Sequence, residues 1–443
     1  MKILNNSFIT GALIGGTMSL ASFQAAAVPF SGVDARSIAM GGTGVAAGNV
    51  VNASTFNPAL LAAYREDEDF NMSLALGVVA RDEEDMIDAI DEIQATDSFG
   101  NDVVARFSND MTAYENRVTF LIGGGATTVG DITTGAATEI ADLQNSAADL
   151  TTAFNNLGDK PIELGFNVGF NLSIPSDTLG VSIFANSRAI IAGSLTDVDL
   201  DTAEITNIVD EVTSPTDFGT LTGLTDPFNG GNDVNSKLVL NGGAVTESGV
   251  ALATKIAGIA IGVTPKILRI DTIETVTGVN AVDTDNLDDT GETFEDVNFD
   301  VGIAIDLGVL KIGAVGKNMI EQEYDITGST LGSKIVIEPS LRAGVAFDAG
   351  WATLTMDQDL TENKGVVSND TIGDSLNTQY TSLGIEFDLA LLQIRAGLRS
   401  DNTGNSDDVL TAGIGLHALV TADFAVAAND QGVEAVFQLG MRW

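Results

Sequence analysis

The 443-residue chain contains no cysteine, which excludes a disulfide frame, a CxxC redox centre and a thiolate metal site. Its one histidine, His417, removes nearly every histidine-based catalytic or zinc arrangement. Basic residues are also scarce: 20 Lys and Arg face 62 Asp and Glu, for a formal net charge of -42. Nucleic-acid binding through phosphate neutralisation is therefore excluded, because it needs a clustered basic face. Long apolar runs are missing too. Beyond residue 28 nothing approaches the roughly 18 to 20 residues of a spanning helix, so a mature chain resident in a membrane must cross it as strands. What the chain has in quantity is glycine, 48 residues, and apolar side chains, 44% of the total.

At the amino end Lys2 precedes an apolar stretch through Phe8, Ile9, Leu13, Ile14, Met18 and Leu20, then Ala25-Ala26-Ala27 before Val28. Gly15 and Gly16 sit mid-run and no polar face interrupts it, so residues 1–27 read as an export signal cleaved near Ala27. Downstream the dominant signal is a period of two. Leu164, Phe166, Val168, Phe170, Leu172 and Ile174 alternate with Glu163, Gly165, Asn167, Gly169, Asn171 and Ser173, which gives one face to lipid and one to water. Tracts from Val297, Leu383 and Leu392 follow the same rule. The last tract, Val433 to Trp443, puts apolar residues on every odd position. A soluble β-sandwich also alternates. Strands of about 10 residues, an uncharged apolar face, and short turns alternating with long polar loops point instead to a transmembrane barrel. Fourteen candidate strands follow, near 70–80, 162–174, 178–192, 237–254, 257–279, 295–306, 308–318, 335–348, 350–361, 379–388, 391–400, 408–418, 421–428 and 433–443. The predicted fold is an all-β antiparallel barrel over 66–443.

Two regions break the alternation. Ile140, Leu143, Ala147, Leu150, Phe154 and Leu157 recur at spacings of three and four before Gly158, which predicts an amphipathic helix within an insertion at about 81–160. Glu83 to Ile93 is the expected partner helix. Residues 28–65, from Ala35-Arg36-Ser37 through Gly41-Gly42-Thr43-Gly44 to Asn57-Pro58-Ala59, lack the lysine and preceding strand of a phosphate-binding loop and read as a lumenal plug. The acidic tract Asp283 to Asp296 lacks the ligand order and glycine of a calcium loop; it reads as a solvated loop, with loose cation binding as the sharper alternative.

Several of these residues carry a family likeness. The terminal strand ending on Trp443 resembles the assembly signal of Gram-negative outer-membrane barrels. Gly32 to Asn57-Pro58-Ala59 resembles the amino-terminal hatch of the FadL-type fatty-acid transporter superfamily. Thr246-Glu247-Ser248-Gly249-Val250, Ile261 to Lys266, Gly316-Lys317-Asn318-Met319-Ile320, Leu341-Arg342-Ala343-Gly344-Val345, Asp357 to Asn363 and Gln379 to Phe387 are similar to blocks of the conjugal-transfer TraF-type barrel family. Having no cysteine, the chain does not share the chemistry of the thioredoxin-like protein of the same name. The resemblance implies an outer-membrane location, recognition by the barrel-assembly machinery through the strand ending at Trp443, contact with outer-membrane lipid, and passive passage of a hydrophobic ligand, with lateral exit into the membrane. The alternative it leaves open is a non-transporting envelope protein associated with conjugal transfer.

Lys311, Lys317, Arg342, Arg395 and Arg399 share the lumenal parity with Asp300, Asp306, Asp348, Asp357, Asp359, Glu386 and Asp388. Cross-strand ion pairing explains how such charges survive inside a barrel. The functional reading makes Arg342, Arg395 or Arg399 an anchor for a ligand carboxylate. Asp357 and Asp359 are spaced as a carboxylate pair, and His417 shares the lumenal parity of Thr411, Gly413 and Gly415, but no motif places a nucleophile beside them. No catalytic residue, metal site, cofactor or nucleic-acid partner is expected, and the chain is not read as an enzyme.

Overall fold

The computed structural model describes residues 33–442 except 64–69, 83–88, 90–94, 159–161, 197, 225, 227–236, 279–291, 326–333, 364–366 and 369–376. The export signal, Trp443, nearly all of the expected 83–93 helix and the tract 283–291 lie outside the described residues. From the amino end come two short helices, α1 (Ala35–Ala39) and α2 (Ala53–Phe56), and a 3-10 turn at Pro58–Leu61. The strands follow: β1 (Asn71–Asp82), β2 (Ile162–Ile174), β3 (Gly180–Thr196), β4 (Lys237–Ile256), β5 (Ile259–Gly278), β6 (Thr293–Asp306), β7 (Leu310–Lys317), β8 (Gln322–Asp325), β9 (Lys334–Ile337), β10 (Ser340–Asp348), β11 (Ala352–Asp359), β12 (Val367–Ser368), β13 (Tyr380–Leu389), β14 (Leu392–Asp401), β15 (Val409–His417), β16 (Val420–Ala428) and β17 (Gly432–Arg442).

Fourteen of these strands form one closed antiparallel barrel in which β17 returns to β1, with Asn71 opposite Arg442 and Arg81 opposite Gly432. The expected count and nearly all expected spans hold. One span differs: 335–348 divides, because Lys334–Ile337 joins a small outlying sheet with β8 and β12 while Ser340–Asp348 enters the barrel. A polar link at Glu338 and Pro339 separates two runs that share the same alternation.

The alternation places Leu74, Leu76 and Val78 of β1 outward and exposed, while Ala75 and Val79 face inward and are buried. Tight turns join β6 to β7, β10 to β11 and β13 to β14 by one device. The Oδ1 atoms of Asp306, Asp348 and Asp388 accept from the backbone nitrogens of Gly308, Gly350 and Ala390 at 2.7, 2.8 and 3.0 Å. Those receiving residues have φ of +89°, +85° and +70°, a region in which a Cβ is strained.

A second core lies outside the barrel, built on the long connections at the end opposite these turns. Helices α3 (Val103–Gly123), α4 (Val129–Gly135) and α5 (Ala137–Leu157) come from the β1–β2 connection, and α6 (Val198–Thr213) and α7 (Phe218–Gly223) from β3–β4. Phe107, Met111, Leu143, Leu150, Ile205 and Val212 interlock there. The helix at 140–157 is where its periodicity puts it, but its partners are α3 and α6, so the insertion is not confined to 81–160. Acidic and small residues between them hid α6, whose buried apolar stripe is Val198, Ile205, Ile208 and Val212, with Val209 packed beside it.

Burial in this helical core pushes the Tyr114 hydroxyl up to about 12; it donates to the Leu221 carbonyl at 3.3 Å. The folded form therefore keeps its proton above the ordinary tyrosine value near 10, so the contribution is complete below about pH 10 and is lost as pH rises towards 12. Helical circular dichroism of the full chain should weaken over that window, and less so in Tyr114→Phe. At the turns, Gly350→Ala should cost about 1 kcal/mol, while Ala390→Gly should have the opposite sign, both read from urea unfolding in vesicles.

Candidate functional site

The site is the seat of residues 33–63 against the inner wall. Inward positions of the strands are polar, charged or glycine, and each class has a separate job. The glycines make room. A Cβ on Gly180 would lie 2.7 Å from the Leu61 carbonyl oxygen, one on Gly262 2.5 Å from the Pro58 carbonyl carbon, and one on Gly384 2.6 Å from the Met40 carbonyl oxygen. Gly302, Gly313, Gly397 and Gly413 press likewise on Asn57, Val45, Gly41 and Ala39. These glycines are spread around the circumference, and Ala35, Ile38 and Ala39 share an apolar cluster with Ala75, Ala425 and Val436 on the remaining side. A segment touched from all sides of a closed sheet lies inside it.

Polar groups fasten it. Asn57 Nδ2 donates to the carbonyls of Val45 at 2.9 Å and Ile303 at 3.1 Å, and its Oδ1 accepts from Ala59 N at 3.1 Å. Pro58 begins the 3-10 turn, where a missing N–H costs nothing. The Asn57-Pro58-Ala59 motif is thus a staple between the segment and β5–β6. Asp357 Oδ2 accepts from Gly44 N and Val45 N at 2.7 and 2.9 Å. Lys317 Nζ donates to the Thr55 carbonyl at 2.8 Å, and Ala35 N donates to Gln438 Oε1 at 3.0 Å. Asn171 Nδ2 donates to Ser54 Oγ.

The three candidate arginines separate into two kinds. Arg342 and Asp359 sit directly opposite on β10 and β11 and are joined through Nε, and Asp359 Oδ2 also accepts from Tyr380 N and Asn363 Nδ2, each at 2.8 Å. Arg395 faces Glu386 across β13–β14, with Nε to Oε2 at 2.6 Å, and also binds Asp423. Both guanidinium groups are buried and matched by carboxylates, so they belong to the predicted cross-strand ladder rather than to an open anchor. Arg399 differs. Its guanidinium lies 5.1 Å from the Tyr380 ring centroid, its buried Nε has no hydrogen-bond partner, and it lines a small cavity with Arg81 and Glu434.

The ladder also reaches the segment, which sequence reading missed. Arg36 of α1 grips Glu386 with two bonds of 2.9 and 2.8 Å and donates to the Ala47 carbonyl at 2.6 Å. Asp423 pairs with His417 Nε2 at 2.9 Å, so the histidine closes a chain of Arg36, Glu386, Arg395 and Asp423. Lys266 is buried between Asp300 and Glu247 at 2.9 and 3.0 Å. Alternating parity could have found Lys266 and Asp423; nothing local could have found Arg36, whose partner lies 350 residues away.

Other expectations need correction. Asp306 is exposed at its turn and caps Gly308 rather than joining the ladder. Asp388 does the same for Ala390, because Asp306 ends its strand and Asp388 is one residue from the end of its own. Asp357 and Asp359, which share the lumenal parity, have separate partners: the first accepts from backbone amides and the second binds Arg342. Among the described residues no group of three or more His, Asp or Glu could hold a metal ion.

On the outer wall a crevice of about 370 Å³ opens between β6, β7, β10 and β11, lined by Ile303, Ile305, Ile312, Ala314, Ala343, Val345 and Met356. The wall behind it is reduced to Gly313 and Gly344, and Val45 of the seated segment presses on both from inside.

Arg342→Ala and Arg395→Ala should each cost about 3–5 kcal/mol, because each strands a buried carboxylate. Arg399→Ala should cost no more than about 1 kcal/mol, the worth of its ring contact. Urea unfolding of the three variants in one lipid checks the division.

Among solved structures, a deletion mutant of the TodX monoaromatic hydrocarbon channel shares 10% identity over 92% of this chain and 98% of that chain, with a TM-score of 0.49. The P. putida toluene transporter TodX shares 10% over 94% and 99%, with a TM-score of 0.45. An Rh. blastica porin mutant shares 10% over 84% and 99%, at 0.27. No curated protein matches the sequence. The family described as "F plasmid transfer operon, TraF, protein" matches residues 55–359, and the chain belongs to that family.

Proposed function

We propose that the protein is a passive outer-membrane channel for hydrophobic small molecules, held closed in this conformation by residues 33–63 acting as a plug. The outer-wall crevice carries this reading. It is apolar and faces the bilayer, and behind it the wall at Gly313 and Gly344 is bare backbone, with Val45 of the plug and the Asp357 carboxylate directly inside. A hydrophobic solute that displaces Gly44 and Val45 from Asp357 meets the thinnest part of the wall, and parting of the β7–β10 pair at Gly313 and Gly344 would release it into the bilayer without a return to water. Water can replace the polar partners that fasten the plug, which favours its displacement, whereas buried Met40, Phe56, Leu60 and Leu61 oppose it. The outward apolar face supports a lipid environment, and the expected export signal and terminal strand support delivery to the outer membrane and assembly there. Of the three arginines, Arg399 keeps a donor free for a ligand carboxylate.

A second reading is a non-transporting envelope protein of the conjugative apparatus. It is favoured by the helical unit over the long connections, which holds Phe99 and Phe120 at 87% and 69% exposure, a surface suited to a partner. Transfer of toluene and of oleate into proteoliposomes separates the two. The channel reading expects uptake of both, a severalfold loss in Ala343→Phe, which fills the crevice from the lipid side, and loss of oleate transfer alone in Arg399→Ala. No uptake by the wild-type protein would sink it and leave the second reading.

A further inference from the structure

At the end opposite the helices, the barrel's tight turns carry large apolar side chains beside a few polar groups, among them the Lys255–Asp177 pair. Leu179 joins β2 to β3, Ile256 β4 to β5, Leu307 and Val309 β6 to β7, Trp351 β10 to β11, Leu389 and Leu391 β13 to β14, and Leu419 β15 to β16; all are exposed. Turns that stand in water are built from small and polar residues. Here every turn whose Asp or Gly sets the backbone also presents a large aliphatic or aromatic side chain, and Trp351 packs on outward Phe387 at 6.2 Å between ring centroids. The apolar ring is therefore continuous with the outward face of the strands.

Belt height leads to the same place. On the β11–β14 side the outward face carries its first polar side chains at Gln358, Thr381 and Asn402, with exposed Leu360 beyond them; Thr381 Oγ1 donates to Gln358 Oε1 at 2.6 Å and Asn402 Nδ2 donates to Thr381 Oγ1 at 3.1 Å. From Gln358 down to Ala352 at the turn the strand rises about 20 Å, or about 15 Å along the membrane normal at a tilt of about 40°. The apolar band of a spanning barrel is about 25 Å tall. On the β5–β6 side the first outward charge is Arg269, paired with Asp271 at 2.8 Å, and the span from there to Ile259 supplies about 25 Å by the same measure. Measured to the first polar side chain the belt is lower on the β11–β14 side, and sinking the apolar turns there lets it cover the hydrocarbon.

We infer that the ring of turn residues is a lipid-binding surface, embedded in the acyl chains of the leaflet at the short-turn end, deepest at Trp351 and Leu391. The barrel on this account does not project its turns into water; it leans, or thins the bilayer, toward β11–β14. The inference rests on the membrane reading above but is separate from any transport.

The absence of cysteine makes the test direct. Single variants Leu391→Cys, Leu419→Cys and Ile256→Cys carry a bimane probe, with Ile414→Cys, in the middle of the outward face of β15, as the reference. Each is reconstituted in phosphatidylcholine vesicles with or without brominated acyl chains, and quenching is compared with that by aqueous iodide. Trp351 fluorescence in a Trp443→Phe background gives a probe-free repeat. The expected result is severalfold stronger quenching by brominated lipid than by iodide at all turn sites, and greater at 391 than at 256. Iodide quenching at the turns with lipid quenching at 414 would overturn the inference while leaving the barrel in its membrane; iodide quenching at 414 as well would overturn the membrane reading. Protection from both quenchers, with a dimer on sedimentation, would assign the ring to a second copy instead and also overturn it.

Discussion

The pairing of β1 with β17 is the constraint on which the remaining structure depends. In hydrocarbon an unpaired backbone N–H or C=O costs several kcal/mol, so a sheet that spans must have no edge. The eleven facing pairs between Asn71–Arg81 and Gly432–Arg442 remove the last one. Closure then dictates the chemistry of both surfaces. Outward positions must be apolar, and inward positions enclose a lumen in which every charge must find a partner among a small set of facing side chains.

The inner wall meets that demand with two kinds of residue that serve one purpose. Carboxylates and cations pair across adjacent strands, as Arg342 does with Asp359 and Lys266 with Asp300. Glu386, already paired with Arg395, also holds Arg36 of the segment, and Asp357 receives the amides of Gly44 and Val45. Glycines at 180, 262, 302, 313, 384, 397 and 413 let its backbone lie directly on the sheet. Glycine weakens a strand by itself, so its recurrence at inward positions is the mark left on the wall by what lies against it. The same economy leaves Gly313 and Gly344 as the thin place behind the outer crevice.

The barrel was legible in the sequence because its signal is local: a period of two needs only neighbouring residues, and Leu164 to Ile174 displays it without reference to anything else. The helix at 140–157 was legible for the same reason at a different period. What could not be read were long-range matches. Arg36 finds Glu386, and Tyr114 finds Leu221 through two separate connections; no spacing along the chain encodes either. Among the three candidate arginines, parity alone treated Arg342, Arg395 and Arg399 alike. Only the register, which sets Asp359 and Glu386 opposite the first two but Ser382 opposite the third, separates matched charges from the one left open.

The account stands or falls on whether residues 33–63 move from their seat when solute passes. Ala47 and Ala346 are buried together in one small cluster, on the segment and on β10 respectively, and the chain has no other thiol to interfere. A double variant, Ala47→Cys with Ala346→Cys, locks the segment to the wall when oxidised and frees it when reduced. The account predicts that toluene transfer into proteoliposomes falls on oxidation and returns on reduction. Equal transfer in the locked and reduced states would contradict it.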